Sequence, residues 1–158
     1  MTLTMRRVAF LALVLSPFVL TEPVAQLPGS KVTYQGVTND NKIEHFFNIK
    51  YAHDTSGTRR FAPPEPFTPP EGSRITATEP GPACPQSKAA LPPFFDETPV
   101  TSEDCLSLRI ARPAGTAETD KLPVVVWFYG GGVVKGSAYD SHLDPDRNEG
   151  PETWVAMG

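Results

Sequence analysis

Much of what usually announces chemistry is scarce in this chain. Its 158 residues hold three histidines and two cysteines. No basic block or stripe occurs, and acids and bases are mixed along the chain for a net charge of −4 and a pI near 5.3. That balance argues against nucleic acid or an acidic polymer as a partner. No N-x-S/T sequon occurs, so N-glycosylation is not expected. Long apolar runs are missing too. A membrane-spanning helix takes about 20 apolar residues, and the one candidate, Val8–Leu20, is shorter and interrupted by Ser16 and Pro17. Preceded by Arg6 and Arg7 and followed by the polar exit Thr21-Glu22, the run has the layout of a secretory signal peptide, with cleavage near Ala25. Residues 1–25 are therefore expected to be a leader. Residues 26–158 form the mature part, extracellular and free of the membrane once the leader is removed.

What the chain has in excess is proline. Most of its 18 prolines fall between Phe61 and Pro99, in pairs such as Pro63-Pro64, Pro69-Pro70 and Pro92-Pro93. Proline has no N–H and a fixed φ, so neither a helix nor a central strand runs through such a stretch. Composition alone favours a disordered linker there. Against this, the stretch carries Phe61, Phe67, Phe94, Phe95 and Cys84, more anchors than a linker keeps, and an ordered loop-rich layer fits better. Cys84 and Cys105 are an even count in an exported chain, so a disulfide is the first expectation. Closing that loop contributes about 3 kcal/mol in the chain-entropy model. Two unrelated buried thiols are the alternative.

Elsewhere the pattern is that of strands. Lys31–Gln35 and Ile43–Tyr51 are rich in β-branched and aromatic residues and flank a polar turn at Thr38–Asn41. In Cys105–Ala111, Leu106, Leu108 and Ile110 alternate with Ser107 and Arg109, as in a strand with one face covered. Pro113–Asp120 is a turn-like connection. Val124–Phe128 is apolar on both faces, as expected of a central strand between two layers. Tyr139–Pro151 is polar coil, and Glu152–Met157 starts a short helix behind Pro151, a residue suited to the first helical position.

The apolar run ends in three glycines, Gly130-Gly131-Gly132. A phosphate loop requires GxxxxGK[ST]; here Ser137 follows Gly136 and Lys135 precedes it, so that reading fails. A dinucleotide fingerprint must open a helix, and Val133–Asp140 shows no helical start. No cofactor and no metal are expected. A strand breaking into a loop without side chains is instead one way to present bare N–H groups to a developing oxyanion.

Read in order, Ser102–Ile110 (SEDCLSLRI), Leu122–Gly132 (LPVVVWFYGGG) and Gly136–Asp140 (GSAYD) resemble the type-B carboxylesterase and cholinesterase family, a branch of the α/β-hydrolases. Looser matches precede them in order: Lys50-Tyr51-Ala52, Arg60-Phe61-Ala62-Pro63, and Gly81-Pro82-Ala83-Cys84-Pro85-Gln86. The resemblance implies an α/β fold of which this chain is the N-terminal part: small antiparallel strands, a Pro-rich disulfide loop and the first central-sheet strands, incomplete. It implies that Gly131 and Gly132 are oxyanion-hole donors and that Cys84 and Cys105 form the family's N-terminal disulfide, whose loop overhangs the active-site entrance. Phe94 and Phe95 either line that entrance or pack within the loop. Arg60 and Glu103 match a pair of charges that tethers the same loop; two solvated surface charges are the alternative. Tyr129 stands where many members carry histidine. Val133 replaces a usual aromatic, which changes the acyl side of the pocket.

The family's nucleophile sits in G-x-S-x-G at a strand-to-helix elbow, followed by an acid and a histidine. No G-x-S-x-G occurs here. His45, His53 and His142 do not stand where the family's catalytic histidine would, and are expected to be exposed or to pack. The lineage is thus that of a secreted serine hydrolase acting on a small-molecule carboxylic ester, while this chain alone is expected to be inactive, a fragment or truncated gene model. The alternative is a secreted non-catalytic binding or adhesion protein.

Overall fold

The computed structural model describes residues 22–90, 92, 97–98, 100–139 and 151–157. Two three-stranded sheets organise them. In the first, β1 (Val24–Gln26), β2 (Thr33–Gln35) and β5 (Arg74–Thr76) lie in the order β1-β2-β5. β1 runs antiparallel to β2, and β5 runs parallel to it. In the second, β3 (Val37–Thr38), β4 (Ile43–Lys50) and β6 (Ser107–Pro113) lie in the order β3-β4-β6, all antiparallel. A short helix, α1 (Pro151–Met157), lies against β6 and β4 and begins at proline, as its sequence predicts.

The two sheets share one small core. Val32, Tyr34, Phe46 and Ala77 are buried together, with Ala25, Ile49 and Ile75 packed against them. Gly36 makes the close approach possible: a Cβ there would lie 2.3 Å from the His45 carbonyl oxygen and 2.8 Å from the Phe46 ring. The turn between β3 and β4 is made by Asn39, whose side-chain oxygen accepts the Asn41 N–H at 3.1 Å and the Ile43 N–H at 2.9 Å. Such a side chain mimics a backbone turn. Across β4 and β6, Glu44 is opposite Arg112. The buried Glu44 carboxylate accepts Arg112 Nε–H at 2.7 Å and the Gly115 N–H at 3.1 Å.

The described part of the Pro-rich stretch is folded, as anticipated, and the Cys84–Cys105 disulfide joins it to the segment ahead of β6. Its one strand among the described residues, β5, occupies three residues without proline at a sheet edge. Phe61 is not the anchor expected of it, being 99% exposed with φ at +63°. Phe94 and Phe95 lie outside the described residues.

Two strand expectations need correction. β6 covers the opposite face: Ser107, Arg109 and Ala111 are half-buried while Leu108 and Ile110 are exposed. Among the described residues, α1 and the core residues of the first sheet pack against that sheet, and Tyr139 reaches Ser107 on β6. Val124–Phe128 forms no ladder with any described residue, and Val124 and Phe128 are 84% and 86% exposed. A strand exists only by pairing, and no described strand lies beside this one.

Candidate functional site

The glycine loop starts where the exposed apolar run stops. Gly131 has φ +149° and Gly132 φ +60°. A Cβ at Gly131 would lie 1.4 Å from the Lys135 carbonyl oxygen, so only glycine allows the closure. The Gly131 carbonyl accepts the Val134 N–H at 3.0 Å and the Lys135 N–H at 3.1 Å. At the far end Gly136, with φ +146°, backs onto Gly130, whose carbonyl oxygen would be 2.5 Å from a Cβ there. The loop is folded back on itself. Among the described residues, the N–H groups of Gly131 and Gly132 donate to nothing.

Three side chains fasten this loop to the rest of the molecule. Gln86, two residues past the disulfide, spans Gly136: its Oε1 accepts the Gly136 N–H at 2.8 Å and its Nε2 donates to the Gly136 carbonyl at 2.8 Å. Lys135 is buried and its ammonium donates to the Ala89 carbonyl at 2.8 Å. Tyr139 reaches back to the strands. Its hydroxyl accepts the Asn48 N–H at 3.0 Å and lies 3.2 Å from Ser107 Oγ. Asn48 sits in the irregularity of the β4–β6 ladder between Phe46 and Ile49, so the N–H taken is one the bulge leaves free. None of the three was singled out from the sequence. Gln86 and Tyr139 lie within the quoted motifs, but nothing in a one-dimensional pattern pairs Gln86 with a backbone 50 positions away.

The other expected residues are placed as follows. Cys84 and Cys105 are joined, with Cα atoms 5.0 Å apart. The Arg60 guanidinium donates to the Glu103 carboxylate. That pair is largely solvated, Arg60 being more than half exposed, and such pairs contribute at most about 1 kcal/mol. Thr55 reinforces the tether, donating both its N–H and its hydroxyl to the Glu103 carbonyl at 3.0 Å. His45 is buried and stacked on Phe47, and His53 meets Phe67 edge-on at 5.3 Å. His142 lies outside the described residues. Ser137 is buried, and its Oγ accepts the Tyr139 N–H at 2.8 Å. Val133 is fully exposed with φ +59°. No group of three or more histidine, cysteine or acidic side chains converges among the described residues.

Residues 16–147 match the carboxylesterase family. The chain belongs to that family. It is 51% identical over 120 residues to an inactive carboxylesterase-like protein, VdtD, of Byssochlamys spectabilis, covering 75% of this chain and 20% of that protein. It is 41% identical over 130 residues to a secreted lipase of Arthroderma benhamiae, covering 79% of this chain and 22% of the lipase. Among solved structures, it is similar to Aspergillus niger EstA, with a TM-score of 0.57 at 30% identity over 72% of this chain and 20% of that one. A pNB esterase gives a TM-score of 0.59 at 31% identity, over 75% of this chain and 24% of that one. This carboxylesterase-family chain thus spans about a fifth of the length of the curated relatives it matches. What is described here is a part of the α/β-hydrolase esterase fold, mostly strands and loops around a disulfide.

Proposed function

We propose that this chain carries the oxyanion-hole half of a secreted carboxylic ester hydrolase that acts through a serine acyl-enzyme. The observation that carries the reading is the pair of adjacent N–H groups at Gly131 and Gly132, which donate to nothing among the described residues, on a turn that only glycine closes. When a serine oxygen attacks an ester carbonyl, the carbonyl oxygen becomes an oxyanion. Donors fixed in advance stabilise that charge by about 3 kcal/mol each. Collapse of the intermediate expels the alcohol and leaves the acyl-enzyme, which water then hydrolyses. This route uses no metal or cofactor from the chain. Secretion rests on the Arg-led apolar leader and on relatives such as the secreted lipase.

The nucleophile is not among these 158 residues, since they contain no G-x-S-x-G, so the chain by itself turns over no ester. The purified chain incubated with a p-nitrophenyl ester should release nitrophenol no faster than buffer. Turnover that a serine-reactive organophosphate abolishes would overturn this.

A second reading is favoured by one observation, the 51% identity to a relative described as inactive. On that reading the esterase framework serves secreted binding or adhesion without catalysis. Reading the coding sequence past Gly158 separates the two. An in-frame G-x-S-x-G supports the hydrolase, and continuation of the family sequence without it supports the binding protein.

A further inference from the structure

A leader ending at residue 25 would remove most of β1. Val24 pairs with Gln35, Ala25 with Tyr34 and Gln26 with Thr33. Ala25 also packs against the core shared by the two sheets. Just ahead of the strand, Pro23 is buried and its carbonyl accepts the Gly36 N–H at 2.8 Å. Glu22 extends the zipper by one more residue, accepting a hydrogen bond from the Gln35 side-chain amide. A cut after Ala25 would leave only Gln26 of this strand. β2 would then be paired on one side only, with the three-residue β5, and a two-stranded sheet is marginal in water.

We propose that the leader is removed at the Thr21–Glu22 bond, so that the mature chain begins at Glu22 and keeps β1 whole. The inference rests on the leader reading made from the sequence. The protease that removes such leaders selects small side chains at the first and third positions before the bond. At Thr21–Glu22 those positions hold Thr21 and Val19, both compact and uncharged. At Ala25–Gln26 the third position is Pro23, whose ring fixes φ. The step is a simple hydrolysis. Water adds across the amide, Thr21 leaves with the new carboxyl group, and Glu22 gains the new α-amino group. Glu22 is exposed, so that new charge remains in solvent while Pro23 behind it stays buried.

The test expresses the full 158-residue chain, with a C-terminal affinity tag, through the secretory pathway of a yeast. Capture under denaturing conditions makes the result independent of whether the chain folds. The terminal peptide is identified by mass spectrometry, because a Gln26 terminus would cyclise and resist stepwise sequencing. A terminus at Glu22 is expected. A terminus at Gln26, or at any other internal residue, overturns the inference and leaves the leader reading standing. An intact Met1 terminus overturns both. Two variants sharpen the result. Thr21→Arg should abolish the product that begins at Glu22, and Ala25→Arg should leave that terminus unchanged; the opposite pattern would sink the assignment.

Discussion

Gly131 and Val133 occupy the same loop, both at positive φ, and answer opposite demands. Gly131 has no room for a side chain, whereas Val133 has nothing around it and holds a β-branched side chain in a region such residues rarely adopt. Backbone strain of this kind costs on the order of 1–3 kcal/mol and gathers at functional loops. At Glu44, by contrast, the demand is for a partner. Its carboxylate serves both Arg112 and the Gly115 N–H, and Arg112 also lies 5.1 Å above the Phe46 ring. Glu44→Ala leaves that arginine without its partner and should cost about 3 kcal/mol, read as a lower urea midpoint for release of β6; Glu44→Gln should lose less. Tyr34 contributes a dependence on alkaline pH. Burial raises its pKa above the ordinary 10.0. The unfolded phenol ionises first, so the stability it contributes is complete below pH 10 and falls as pH rises through the folded value. The Tyr34→Phe variant should lose less stability above pH 10 than the parent, followed by circular dichroism across an alkaline titration.

At the scale of elements, the glycine loop is held as part of the disulfide layer. Gln86 supplies two hydrogen bonds to Gly136, and each is worth about 1 kcal/mol net. Gln86→Leu should therefore speed hydrogen exchange of the Gly136 amide roughly tenfold or more, while the amides in the β4–β6 ladder keep their protection. Replacing both cysteines by serine removes about 3 kcal/mol of chain-entropy restraint and should make the segment between 84 and 105 the first site cut in limited proteolysis. The elements themselves were legible in proportion to their local signal. β2 and β4 follow from their β-branched and aromatic runs, and α1 from Pro151. β1 was hidden because two of its three residues fell within the apparent leader, and β5 because three residues between prolines carry no periodicity. The face of β6 was misjudged, since alternation reveals that two faces differ but not which one a neighbour covers. For Val124–Phe128 the composition of a buried strand is plain, yet burial requires neighbours that are not among the described residues. In the candidate site, the glycines were legible because they form a contiguous motif; Gln86, Lys135 and Tyr139 were not, because their roles exist only across the fold.

For the whole molecule, the balance of burial decides behaviour. Among the described residues, a small core around Val32, Tyr34, Phe46 and Ala77 supports both sheets, while Val124, Val125, Val126 and Phe128 stand in solvent and Trp127 meets Trp154 edge-on. An unpaired apolar strand is a template for association. The isolated chain should therefore self-associate and melt without a sharp cooperative transition, measured by light scattering and calorimetry. Replacing Val124 and Val126 by lysine should reduce the scattering. A monomeric parent with a single sharp transition would contradict this.

The clamp of Gln86 on Gly136 also bears on how such sequences can be exchanged among relatives. Its two halves lie 50 residues apart, with the disulfide loop, β6 and the apolar run between them. Any recombination point placed in that interval would join one parent's glutamine to another parent's glycine loop. The triple glycine is thus not a portable cassette. It is inherited together with the stretch that begins at Cys84, and chimeras that keep both ends from one parent should retain the loop that others lose.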